Sequence, residues 1–170
     1  MKTLNVHGID VFTDSQKHGL IADIEVKRLN PHADDRGYFT EIIKEGEAVF
    51  HAPQQSSWSE TEVGVVKAFH WHTRQWDIWF VMKGTAEIVL YDQRENSPTK
   101  GVTNTVVSSE VARCVIAIPP GVAHGYRVLG NERVGLVYYT TETYDPKNPD
   151  EHRIAWDDPG IGYNWETKNR

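Results

Sequence analysis

The chain has 170 residues and one cysteine, Cys114, so no intrachain disulfide can form. Cys114 lies in the apolar run CVIAIP, which predicts a small core side chain. Burial of that kind raises a thiol pKa and argues against a nucleophile. No apolar stretch approaches the length that spans a bilayer, and no membrane partner is expected. The N-terminus MKTLNVHGIDVF lacks the apolar core of a signal peptide, so the expected compartment is the cytoplasm. Basic blocks are also missing, and the formal net charge is −6. A protein held on nucleic acid by phosphate contacts would show a basic face, so no nucleic-acid partner is expected. A single bound nucleotide needs only a few well-placed cations and remains open. There is no internal repeat or low-complexity tract, and the length suits one domain over residues 1–170.

Helical signals are scarce. GEAVFHAP has room for a short helical turn before Pro53 stops it. What the chain has instead is β-rich runs broken by turn residues. IADIEVKRL, GYFTEIIK, VGVVKAFHWH, DIWFVMK, TAEIVLYD, NTVVSS, RCVIAIP, GYRVL and RVGLVYYTT are dominated by residues that suit half-buried strands. Lys83-Gly84, between DIWFVM and TAEIVLYD, reads as a hairpin turn. The region from about 142 to 170, rich in Pro, Asp and Gly, reads as a loop with short turns. Many short strands predict an all-β sandwich or small barrel, with edges that pairing to a second subunit would hide.

The chemistry-bearing stretch is FHWHTRQWD, residues 69–77. On a strand, residues i and i+2 face one side, so His70 and His72 project together while Trp71 points away. Gly64, His70-Trp71-His72, Asp77 and Gly84 spell G-x5-HxH-x4-D-x6-G, and Pro119 to His124 spell PxGxxH. This pair resembles the signature motifs of the cupin superfamily, a small β-barrel. The cupin pattern normally has Glu where Asp77 stands, and often Asn where Val128 stands. His70, His72, Asp77 and His124 would suit a divalent metal such as Zn, Fe, Mn or Ni. The plainer reading of HxH alone is a polar patch on a strand face. Asp77 and PxGxxH are what set convergence on a metal beside it.

The wider chain resembles one cupin family, dTDP-4-dehydrorhamnose 3,5-epimerase, from about residue 20 to 165. The resemblance rests on Asp34-Asp35-Arg36-Gly37-Tyr38-Phe39-Thr40-Glu41, on Gln55 to Ser59, on Gly64 to His70, on Asp92 to Gly101, and on Ile118 to Tyr126. It continues through Tyr144-Asp145-Pro146 and Ile154 to Trp165. It implies a cupin-type double-stranded β-helix, a jelly-roll barrel with short helical turns. It also implies a homodimer, with strands over about 20–50 open to exchange. The implied activity is 3,5-epimerisation, or isomerisation, of a dTDP-linked 4-keto-6-deoxyhexose in deoxysugar and polysaccharide biosynthesis, with no cofactor required. A base takes the proton from the carbon beside the ketone, and an acid returns one from the other face; histidine suits the base. By resemblance His70 is that base, Arg36 contacts the diphosphate, and Phe39, Glu41 and Gln55 hold the nucleoside end. Arg36 also has a plainer reading, as a turn residue paired to Asp34 or Asp35. Lys67 and His124 complete the implied substrate contacts.

The chain departs from the family at telling positions. Lys67 replaces an arginine, keeping charge but losing the bidentate fork. His72 replaces a glutamine, and Asp77 replaces a lysine. The position of the family's catalytic tyrosine, the first of a pair, is Thr143, so that acid is missing, and only the second tyrosine, Tyr144, is kept as a catalytic candidate. The aspartate that orients the family's histidine lies in a segment with no counterpart in Glu166 to Arg170. Two of these changes add metal-ligand types beside His70 and His124. If a metal takes His70, that residue is no longer a free base. Three readings follow: a nucleotide-sugar epimerase, a non-catalytic sugar-nucleotide-binding cupin, and a metal-dependent cupin acting on another small substrate.

Overall fold

The structure, a computed structural model, describes residues 2–13 and 19–167. Met1, residues 14–18 and the last residues of the expected C-terminal loop region, 168–170, lie outside the described residues. The described residues form strands and turns with no helix, hence none long and apolar enough to cross a membrane.

The strands are β1 (Lys2–Val6), β2 (Ile9–Thr13), β3 (Glu25–Arg28), β4 (His32–Asp34), β5 (Gly37–Phe39), β6 (Gln55–Thr61) and β7 (Val66–Trp71). They continue with β8 (Asp77–Lys83), β9 (Thr85–Asp92), β10 (Thr103–Ser108), β11 (Cys114–Ile118), β12 (Val122–Leu129), β13 (Val134–Thr140) and β14 (His152–Arg153). One sheet runs β1-β2-β10-β9-β12-β7-β14, a second runs β3-β11-β8-β13-β6, and β4-β5 is a separate hairpin. Neighbours pair antiparallel throughout, for example β12 with β7 and β8 with β13. The all-β jelly-roll expectation therefore holds.

The main core lies between the two large sheets and includes Val11, Val26, Trp79, Val81, Ile88, Leu90, Ile116, Ile118 and Leu136. Their outer faces are covered as well. Ile42 and Ile43 pack against Ile78, Phe80, Val115 and Ala117 on the β8–β11 side. Trp165, Tyr163 and Ile154 cover Phe69, Val89 and Ala123 on the β7–β12 side. Double-sided burial explains why β8 and β11 read as continuous apolar runs rather than alternating ones. Cys114 is buried, and burial pushes its thiol up to about 11, as a core residue requires.

Two local readings are corrected. Lys83-Gly84 is not a hairpin turn, because β8 and β9 belong to different sheets. It is a corner where the chain changes sheets. Gly84 takes a φ of 73°, and a Cβ there would lie 2.4 Å from the Arg133 carbonyl oxygen. GEAVFHAP forms isolated turns, closed by Glu47 N–H to the Lys44 carbonyl and Phe50 N–H to the Glu47 carbonyl, not a helix. The segment is too short to repay helix nucleation. Lys27 pins it instead, donating to the Ile42 carbonyl and, at 2.7 Å, to the Glu47 carboxylate.

Candidate active site

β7, β12 and β8 place the site at one mouth of the barrel. His70 on β7 is the cross-strand partner of His124 on β12. Asp77, the first residue of β8, comes from the opposite sheet. His72 follows the end of β7 by one residue, so it shares the inward side with His70. Trp71 turns the other way and stacks on His152, as the period of two requires.

One donor atom from each of His70, His72, Asp77 and His124 lies within 4.8 Å of the others. Asp77 sits at the centre. Its Oδ1 is 3.4 Å from His72 Nε2, and its Oδ2 is 3.4 Å from His124 Nε2 and 3.8 Å from His70 Nε2. Gln75 donates to Oδ1 at 2.7 Å, and the Trp79 indole donates to Oδ2 at 3.1 Å. Burial pushes the Asp77 carboxyl up, but the three histidines outweigh it and hold the group well below the usual carboxylate range. Burial, reinforced by the charge of His70, takes His124 down to about 4. For His72 burial acts downward, yet Asp77 and the Asp150 carbonyl carry the imidazole upward overall.

The histidines are oriented differently. His72 Nδ1 bonds the Asp150 carbonyl oxygen, and His124 Nδ1 donates to the Val122 carbonyl oxygen at 2.9 Å. Both rings therefore turn Nε2 inward. His70 is the most exposed member, with 27% of its side chain exposed against 6% for His72 and 1% for His124. The 3.8 Å to Asp77 exceeds hydrogen-bond reach, so Asp77 does not rebuild the missing histidine–aspartate pair.

A cavity of about 910 Å³ opens above this cluster. Of the residues read from the sequence, it is lined by His70, Tyr144, Gln55, Lys67, His72 and Asp77. Gln55 accepts from the Tyr144 backbone N–H at 2.9 Å, which ties the Tyr144 loop to β6. Lys67 meets the Ser59 hydroxyl at 3.4 Å, and no ion pair is found for it among the described residues. Arg74 and Arg153 line the same mouth, paired to Glu142 and Glu151.

Other expected substrate contacts lie elsewhere. His124 is 1% exposed beside its cross-strand partner His70 and does not line the cavity. Arg36, Phe39 and Glu41 are not among the lining residues of this chain. Arg36 sits in the β4–β5 turn, held to Asp34 at 2.5 Å, as its plainer reading has it. Phe39 is 65% exposed on the same hairpin.

The sequence reading missed several contributors. Asp150 accepts from the Thr73 hydroxyl and from the backbone N–H groups of Thr73, Arg74 and Gln75, while its own carbonyl meets His72. These bonds, acting against burial, hold its carboxyl well below its ordinary value. Nothing local marks Asp150, since its partners lie more than seventy residues away. Trp79, whose place among the aromatics near FHWHTRQWD marked it as a candidate pocket residue, lies on the Asp77 face of β8 and lines the cavity. Tyr138 also lines the cavity.

Fold and site together define a cupin-type barrel with a histidine-lined cavity at its mouth. A family model described as dTDP-4-dehydrorhamnose 3,5-epimerase matches residues 19–170. The chain belongs to that family. The spore coat polysaccharide biosynthesis protein SpsL of Bacillus subtilis is 48% identical over 151 residues, which cover 89% of this chain and 100% of SpsL. The probable low-salt glycan biosynthesis epimerase Agl13 of Haloferax volcanii is 39% identical, covering 87% of this chain and 96% of that protein. Among solved structures, a dTDP sugar isomerase from Desulfovibrio desulfuricans G20 superposes with a TM-score of 0.79 at 23% identity, covering 85% of this chain and 92% of that one.

Proposed function

We propose that the chain epimerises a dTDP-linked 4-keto-6-deoxyhexose at C3 and C5 during assembly of a polysaccharide or glycan. The observation that carries this is His70, the most exposed of the cluster histidines on the cavity wall, in a member of this epimerase family. The 4-keto group acidifies the neighbouring C–H bonds. His70 removes the proton, the charge passes to the enolate oxygen, and a proton returns on the opposite face. Tyr144, on the wall of the same cavity, is the candidate acid. Lys67, with no ion pair among the described residues, is the candidate cation for a diphosphate, while Arg74 and Arg153 on the same wall are each paired with a glutamate.

The same reading includes a cytoplasmic homodimer. Tyr38, Phe39, Trp58 and Met82 are large apolar side chains left 46–65% exposed, which suits burial against a second copy. In this arrangement Arg36, Phe39 and Glu41, which miss their own chain's cavity, serve the partner's. With Thr143 in place of the family tyrosine, the alternative is a binding module that holds the sugar nucleotide without turnover. The test is incubation with dTDP-4-keto-6-deoxyglucose in D2O, read by NMR. Deuterium at C3 and C5 supports epimerisation. Tight dTDP binding with no deuterium at either carbon would establish the binding module instead.

A further inference from the structure

We infer that His72, Asp77 and His124 hold a divalent transition-metal ion at the floor of the cavity, with His70 outside the ligand set. Metal–nitrogen and metal–oxygen bonds of about 2.1 Å set neighbouring donors about 3.4 Å apart around a tetrahedral ion. One Asp77 oxygen lies 3.4 Å from His72 Nε2 and the other lies 3.4 Å from His124 Nε2, so the carboxylate spans the two imidazoles, and one donor atom from each residue lies within 4.8 Å of the others. These two histidines also carry the backing that ligating imidazoles need. Each Nδ1 is bonded to a backbone carbonyl, Asp150 or Val122, which leaves Nε2 with its lone pair inward.

Hydrogen bonding alone does not account for the arrangement. Gln75 and Trp79 supply protons to Asp77, and the Gln75 amide also lies 3.3 Å from His72 Nε2. His124 Nε2 is fully buried and has no hydrogen-bond partner among the described residues. A buried lone pair facing a carboxylate is costly, and a cation between them removes the cost. His70 differs on each count. It is more distant from Asp77, partly exposed, and among the described residues no carbonyl fixes its ring. Two imidazoles and one carboxylate with an open side suit Zn, Fe, Mn or Ni rather than Ca or Mg. His72 and Asp77 line the cavity, so the open side faces the ligand space. If the epimerase reading is right, a bound ion supplies positive charge beside the developing enolate and leaves His70 to carry the proton.

The test reads metal and not turnover, so its failure and that of the epimerase reading are separable. Untagged protein is analysed by elemental mass spectrometry as isolated. It is then stripped with EDTA and titrated with Co(II), followed by visible absorption, and with Zn(II), followed by melting temperature. The wild type should hold about one ion per chain, show Co(II) absorption bands and melt higher with Zn(II). His72→Ala and His124→Gln should each lose at least about tenfold in metal affinity. His70→Asn should keep the ion. Should a variant fail to fold, the wild-type titrations and His70→Asn still decide. A folded wild type that takes up no ion, or a folded His72→Ala that keeps full affinity, would overturn the site. Loss of the ion from His70→Asn would overturn the three-ligand set.

Discussion

Gly125, between His124 and Tyr126 on β12, lets two strands of the site come together. A Cβ there would lie 2.4 Å from the Ala68 Cβ and 2.7 Å from the Lys67 carbonyl oxygen. Gly125→Ala should therefore cost about 1–3 kcal/mol, the usual range for overpacking, measured as a lower urea midpoint with an unchanged slope. At this scale His70 and His72 were legible from the strand period of two, and Asp77 from its place in the motif. His124 was found by its motif, but its depth was not, because a motif gives no measure of what packs over a side chain. Asp150 was invisible, since its role depends on folding the 142–170 region back onto the loop at residues 73–75.

Among the elements, the connection from β9 to β10 rests on Asp92. The carboxylate is buried and accepts from Arg94, Ser97 and Thr99. Burial pushes its pKa up, but these bonds prevail and bring it from 3.8 to about 2. The folded value lies below the unfolded one. Its stabilisation is therefore complete above the unfolded pKa and is lost as pH falls from near 4 through about 2. Asp92→Asn should cost about 2 kcal/mol at neutral pH and flatten the acid limb of the stability curve over that window, read by denaturant melts across pH. The strands themselves were legible from β-branched and aromatic runs. The sheet change at Gly84 was not, because a positive-φ glycine serves a hairpin and a corner equally well. The missing helix at 46–53 was lost to tertiary contacts, the Lys27–Glu47 pair above all.

For the whole molecule, the strand pattern predicted a sandwich or small barrel, and the family resemblance narrowed it to a jelly roll and implied the dimer. The proposed dimer predicts a solution mass near twice the 19.4 kDa of the chain by light scattering. It also predicts that Arg36→Ala weakens dTDP binding although Arg36 is absent from its own cavity wall. A monomer whose dTDP affinity ignores Arg36 would contradict that arrangement. The central claim is that His70 moves the proton. Its most direct test is solvent deuterium exchange into the 4-keto sugar by wild type and His70→Asn, alongside calorimetric dTDP binding. The account predicts unchanged dTDP affinity and exchange slowed at least about 100-fold, the usual contribution of a general base. Exchange at the wild-type rate in His70→Asn would contradict it.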